Sequence, residues 1–184
     1  MYTSKFYSIA LLLLFCISAC SPSAENEQKK WKHNTANVND LMKAFPTFAS
    51  LLEGDLKEAQ TKWSEAEKIS EAEQKAQKMS EANDIIFGDY ISQLYSAKSR
   101  MEKVEEKKQK IHSKNLSSTK AEQAEDAIKS ANEKVAKAKT ILSQKVATKT
   151  EAQEVVKEAN AELIAAVAAL DRALKKKKKR KKKS

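Results

Sequence analysis

Few residues of this chain have side chains and spacing suited to chemistry. Two cysteines, Cys16 and Cys20, lie in and just behind an apolar run from Ile9 to Ile17. The two histidines, His33 and His112, are far apart, and neither has a second ligand at the spacing of a structural or catalytic zinc site. Both are expected to be solvated. Carboxylates are plentiful, but Glu65, Glu67, Glu71 and Glu73 alternate with Lys62, Lys68 and Lys75, the pattern of a solvated helix face laced with ion pairs. The two glycines, Gly54 and Gly88, cannot make a glycine-rich phosphate loop. Nothing singles out a Ser–His–acid set. The expectation is a non-enzymatic protein with no metal and no dissociable cofactor. The remaining chemistry is electrostatic: Lys175, Lys176, Lys177, Lys178, Lys179, Arg180, Lys181, Lys182 and Lys183 place nine positive charges together with no acid among them.

That block accounts for the charge balance. The chain carries +10, and Lys5 is the only charge before residue 20, so removing one and nine leaves zero for residues 20–174. The body is a neutral mosaic with no broad basic face, and no nucleic-acid partner is expected. Fields near an anionic lipid surface contribute about 1 kcal/mol per cation, so the tail is expected to contact an anionic surface. Candidates are lipopolysaccharide phosphates, anionic phospholipid headgroups and peptidoglycan carboxylates.

Residues 1–7 are polar and carry Lys5. The apolar run behind them is far shorter than the roughly 20 residues a membrane span requires, and has the length of a signal-peptide core. It ends in Ile17-Ser18-Ala19-Cys20. This tetrapeptide resembles a lipobox, the recognition site of signal peptidase II in bacterial lipoproteins: a branched aliphatic residue, two small residues that enter a narrow protease cleft, then cysteine. The resemblance implies that the Cys20 sulfur takes a diacylglycerol, that residues 1–19 are removed as a signal peptide, and that Cys20 becomes the acylated first residue of the mature protein. Two or three palmitate-like chains anchor firmly where one holds only marginally. In the enteric members of this class an aspartate after the cysteine favours the inner membrane, so Ser21 points to the outer membrane. Cys16 would leave with the signal peptide, and packing alone would hold the mature chain.

Between anchor and tail the composition is helical. Ala, Glu, Lys, Gln and Ser dominate, 6% of residues are aromatic, and turn-forming Gly and Pro number two each. Residues 20–38, polar and holding Pro22, read as a flexible lipidated tether of up to about 60 Å. A first short helix is expected from Asn39 or Asp40, with Leu41, Met42, Phe45, Phe48, Leu51 and Leu52 on one face. Pro46 would kink or restart it, and Gly54-Asp55 would stop it. A long helix over about 55–112 follows, its stripe slipping in phase between Ile69 and Ala72, with Gly88 as its one weak point.

The last two helices are the clearest. Ala121, Ala124, Ile128, Ala131, Val135, Ala138 and Leu142 step by three and four. Ala152, Val156, Ala159, Leu163, Ala166, Leu170 and Ala173 do the same. Thr119/Glu122 and Thr148/Glu151 read as capping boxes. Residues 119–174 are therefore expected to form an antiparallel hairpin. Phe45, Phe48, Trp63, Phe87, Tyr90 and Tyr95 are expected in the core, with Tyr90 and Tyr95 partly exposed.

The fold expected over residues 39–174 is all-α: an elongated antiparallel helical bundle or coiled coil of about three long helices and one short N-terminal helix. Residues 175–184 would be a basic extension. Lipid at one end and lysine at the other resemble the major outer-membrane lipoprotein of enteric bacteria, which implies a tethering role in general terms. Ser184 follows Lys183, so that family's peptidoglycan-linked terminal lysine is not carried over. The function expected is a membrane-anchored envelope lipoprotein with a structural or interaction role. Two other readings stay open: a periplasmic adaptor or chaperone-like module taking a protein partner in a helix groove, and a surface adhesin for acidic host molecules. Self-association through Ala165, Ala168 and Ala169 is a further option.

Overall fold

The structure, a computed structural model, describes residues 22–114 and 116–175. These are all-helical, with no strand among them. In chain order they form α1 (Ala24–Ala44), a single 3-10 turn (Pro46–Phe48), α2 (Ala49–Glu67), α3 (Ala72–Ile85), α4 (Asp89–His112), α5 (Ser118–Leu142) and α6 (Lys149–Leu174). The all-α reading stands, but there are six helices where about four are expected, and each extra boundary has a physical origin.

Residues 24–38, expected as an irregular tether, belong to α1. The buried or half-buried stripe of this helix is Glu27, Trp31, Asn34, Val38, Leu41 and Phe45, with steps of four, three, four, three and four. Two of its positions are polar, so a search for apolar residues alone does not find it. The stripe then runs without interruption into the expected short helix. Pro46 ends α1 and opens the 3-10 turn, where its missing N–H costs nothing.

Gly54 lies inside α2 instead of stopping a helix. The long helix expected over 55–112 is three helices. One break falls at 68–71, at the phase slip after Ile69. The other falls at Gly88, as expected, although the left-handed backbone angle is at Asp89 (φ 43°), one of the few side chains that tolerate that region.

The described chain divides into two compact units, residues 22–38 with 53–87 and residues 39–52 with 88–175. In the first, the α2–α3 turn lets α3 fold back, and Trp63 and Ala66 of α2 pack with Met79 and Ala82 of α3, flanked by Ala24 and Trp31 of α1. An uninterrupted helix could not bring Met79 to Ala66, since about 20 Å of rise would separate them. The two indoles of Trp31 and Trp63 stack at 4.6 Å between centroids.

In the second unit, α6 is the helix that α4 and α5 both pack against. Ala124 and Ala131 of α5 meet Ala166 and Leu170 of α6 in one cluster with Val104 and Ile111 of α4. Early residues of α5 thus face late residues of α6, which makes the pair an antiparallel hairpin as expected. Ala152, Val156, Ala159, Leu163, Ala166 and Leu170 are all 0% exposed, so six of the seven expected seam positions of α6 are core, and Ala173, the last, is partly buried against it. The Thr148 box forms: the Glu151 amide donates to Thr148 Oγ1 at 3.2 Å, and Glu151 Oε2 accepts from the Thr148 amide at 3.3 Å. The Thr119 box does not form, because the N-cap of α5 falls two residues earlier, at Ser117, which makes no side-chain cap bond. Around the 3-10 turn, Phe45 and Phe48 meet edge-to-face, and Thr47 Oγ1 donates to the Leu142 carbonyl at the end of α5.

Candidate functional site

Ile17, Ser18, Ala19 and Cys20 lie outside the described residues, as do Lys176, Lys177, Lys178, Lys179, Arg180, Lys181, Lys182 and Lys183. Lys175 is the member of the tail that is described. It is exposed and follows the last residue of α6, and its amide donates to the Asp171 carbonyl at 3.1 Å. The basic run therefore starts where the carbonyl end of α6 favours cations. The fully buried seam stops about one and a half turns before it, at Leu170.

The histidines are both exposed, His33 on α1 and His112 at the end of α4. Among the described residues no three His, Cys, Asp or Glu side chains converge as a metal site. Of the aromatics expected in the core, Phe45, Phe48, Trp63 and Tyr90 are buried. Tyr90, expected to be partly exposed, is 1% exposed, whereas Phe87, expected inside, is 52% exposed. Tyr95 is 42% exposed, in line with the expectation for it.

Two arrangements of polar side chains were not visible in the sequence. The first is in the α1–α3 unit. Asn83 Nδ2 donates to Glu27 Oε2 at 2.8 Å and to the Glu27 carbonyl at 3.0 Å, and Asn34 Nδ2 reaches Asn83 Oδ1 at 3.4 Å. Lys30 Nζ takes the other Glu27 oxygen at 2.6 Å. Glu27, Asn34 and Asn83 are all buried, and no fully buried side-chain polar atom among the described residues lacks a partner. A buried carboxylate with a full set of donors fixes the register of α1 on α3, because any slip would leave it unpaired.

The second lies between α4 and α6. Asn160 is 8% exposed, next to Ala159 in an otherwise apolar seam. Its Nδ2 donates to the Gln93 carbonyl at 3.0 Å, and its Oδ1 accepts from Arg100 Nη1. Around these residues runs a groove of about 370 Å³, bounded by Gln93, Ser96 and Arg100 of α4 and by Lys157, Asn160 and Ile164 of α6. Two cations and no carboxylate line it.

On the α5-facing side of α6, Glu162 is paired. Lys137 Nζ donates to it at 2.5 Å, and Lys134 lies 3.9 Å from its other oxygen. The Lys137 hydrogen bond holds the Glu162 carboxyl below the usual carboxylate range and raises the Lys137 ammonium in return. On α4, Lys110 does the same to Glu106 across one helical turn. Both are surface pairs that trim the mosaic without making a site.

No protein-family model, curated protein or solved structure matches this chain.

Proposed function

We propose that the chain is a non-enzymatic lipoprotein of a bacterial cell envelope, anchored by acyl chains on Cys20 and carrying a helical body whose basic tail binds an anionic surface. The observation that carries this reading is the order of its first twenty residues: a polar segment with Lys5, a nine-residue apolar run, then Ile17-Ser18-Ala19-Cys20. Every part is of the type and length that lipoprotein export uses. Ser21 supports the outer membrane as the destination. The alternating seams of α5 and α6 support a coiled-coil hairpin as the rigid part of the body. No helix among the described residues is long and apolar enough to cross a membrane.

The tail supports the surface-binding half of the proposal. The net charge of residues 20–174 is zero, so long-range attraction to an extended anionic surface resides in Lys175–Lys183. Attraction of that kind is diffuse and screened over about 8 Å at physiological salt. Labelled palmitate supplied to expressing cells is expected in the wild-type chain and absent from Cys20→Ser, which should also leave the membrane fraction. A chain truncated after Leu174 should keep the label but lose salt-sensitive binding to anionic vesicles, lipopolysaccharide or peptidoglycan. Label retained in Cys20→Ser refutes the anchor, and undiminished binding by the truncated chain refutes the tail.

A further inference from the structure

The groove between α4 and α6 poses a problem of energetics. A buried asparagine beside Ala159 and Leu163 costs stability unless its amide is fully bonded, and an apolar residue of similar size would avoid that cost. Asn160 is bonded on both sides, and one of its partners is a cation. Its Oδ1 holds the Arg100 guanidinium, while its Nδ2 is anchored on the Gln93 carbonyl of the same helix. The arrangement fixes a guanidinium at the rim of a cavity.

The charge count is equally uneven. Three lysines of the second unit pair with a carboxylate on another helix: Lys107 with Asp171, and Lys134 and Lys137 with Glu162. Arg100 and Lys157 have none among the described residues, although both border the same groove. One Arg100 N–H goes to Asn160 and the planar fork retains the rest. Facing them, Ile164 is 53% exposed, a large aliphatic side chain left uncovered at the groove's edge. Ala161, exposed like Ile164, adds a small apolar side chain to the lining.

We propose that this groove binds a small anionic amphiphile, its carboxylate or phosphate taken by Arg100 and Lys157 and its short apolar body laid along Ala161 and Ile164. Asn160 is the positioning residue that aims Arg100. A guanidinium fork grips a planar carboxylate or a phosphate through two N–H groups, and a flanking ammonium adds charge without demanding geometry. A volume of about 370 Å³ suits a ligand of small-metabolite size, at the lower end of ordinary ligand pockets. The proposal is independent of the lipid anchor and of the tail.

The test uses the full chain at about 0.3 M salt, where the tail's diffuse attraction is screened to a few ångströms. Hexanoate, phenyl phosphate and uncharged hexanol are titrated separately while backbone amide shifts are followed. Hexanoate or phenyl phosphate is expected to move Ser96, Arg100, Ala161 and Ile164 saturably, and their relative affinities decide between carboxylate and phosphate. Lys157→Gln should weaken binding measurably, by up to about fivefold, the upper end for one exposed charge contact. Arg100→Gln should weaken it by about tenfold or more, since hydrogen bonds to charged groups are stronger. Asn160→Leu should stay folded by circular dichroism yet weaken binding by about tenfold, whereas an asparagine that does not aim Arg100 would leave the affinity unchanged. Hexanol binding as well as hexanoate, shifts absent from the groove, or affinities unchanged in Lys157→Gln would each overturn the proposal.

Discussion

Leu163 and Ile164 are adjacent on α6 and nearly identical in chemistry, but the structure places them in opposite environments. Leu163 is 0% exposed and Ile164 is 53% exposed. Replacing each by alanine therefore isolates burial as the variable. Leu163→Ala deletes three carbons from the core, about 2.4 kcal/mol at 0.8 kcal/mol per group. The cavity left behind adds to this, and buried Leu→Ala changes span about 2–5 kcal/mol. Ala159 and Ala166 lie about one turn away on the same seam, and their small side chains let neighbouring backbones relax inward, so a total of about 3 kcal/mol is expected. Ile164→Ala removes side-chain area that is already half in water, and the expected loss is under about 1 kcal/mol. Urea unfolding followed by circular dichroism at 222 nm measures both, with the slope checked to confirm that the denatured state is unchanged. Equal losses for the two variants would refute the register of α6. A larger loss for Ile164→Ala would show that the helix is rotated by about 100° and that the seam is wrongly assigned.

Other consequences are equally accessible. Gly54 lies inside α2, and a methyl group built on it meets nothing within 4 Å, so Gly54→Ala should raise the unfolding free energy by about 0.5–1 kcal/mol in the same urea titration. A neutral or negative effect would mean that Gly54 breaks the helix after all. Thr148→Ala removes the oxygen that accepts the Glu151 amide and should cost about 1 kcal/mol, whereas Thr119→Ala, in a box that does not form, should cost little by comparison. Glu162 titrates below its ordinary value of 4.5 in the folded protein because Lys137 bonds to it, so its contribution is present above that value and is lost as pH falls through the folded pKa. Lys137 is raised above 10.5, so its share is present below that value and is lost as pH rises beyond it. The stability gap between wild type and Glu162→Gln should therefore be widest between these limits and should close at both acid and strongly alkaline pH. A gap that does not vary with pH would show that the pair contributes no charge interaction.

The sequence showed some of this architecture and concealed the rest, for reasons that can be traced to particular residues. The α5–α6 hairpin was legible because its seams are purely apolar and regular, from Ala124 to Leu142 and from Ala152 to Leu170. Helix α1 was not, because two of its inward positions, Glu27 and Asn34, are polar and become tolerable inside only through Asn83, some fifty residues away. Local pattern carries no trace of a partner at that separation. The break at 68–71 did leave a sign, the phase slip after Ile69, but no Gly or Pro marks it. It is imposed by the packing of Met79 and Ala82 on Trp63 and Ala66, and local propensity does not require it. Asn160 was hidden for the same reason as Glu27: beside Ala159 and Leu163 it reads as a solvated position at the edge of the stripe, and only the approach of α4 turns it inward. Phe87 was read as core from hydrophobicity alone, and large apolar side chains are often left partly exposed.

The chemistry of Cys20 is the central claim, and mass spectrometry of the chain purified from membranes tests it most directly. The account predicts an N-terminal peptide that begins at Cys20, carries the mass of a diacylglyceryl thioether with or without an added acyl chain, and is accompanied by no peptide from residues 1–19. A mature chain that retains residues 1–19, or one that begins elsewhere with Cys20 as an unmodified thiol, would contradict it.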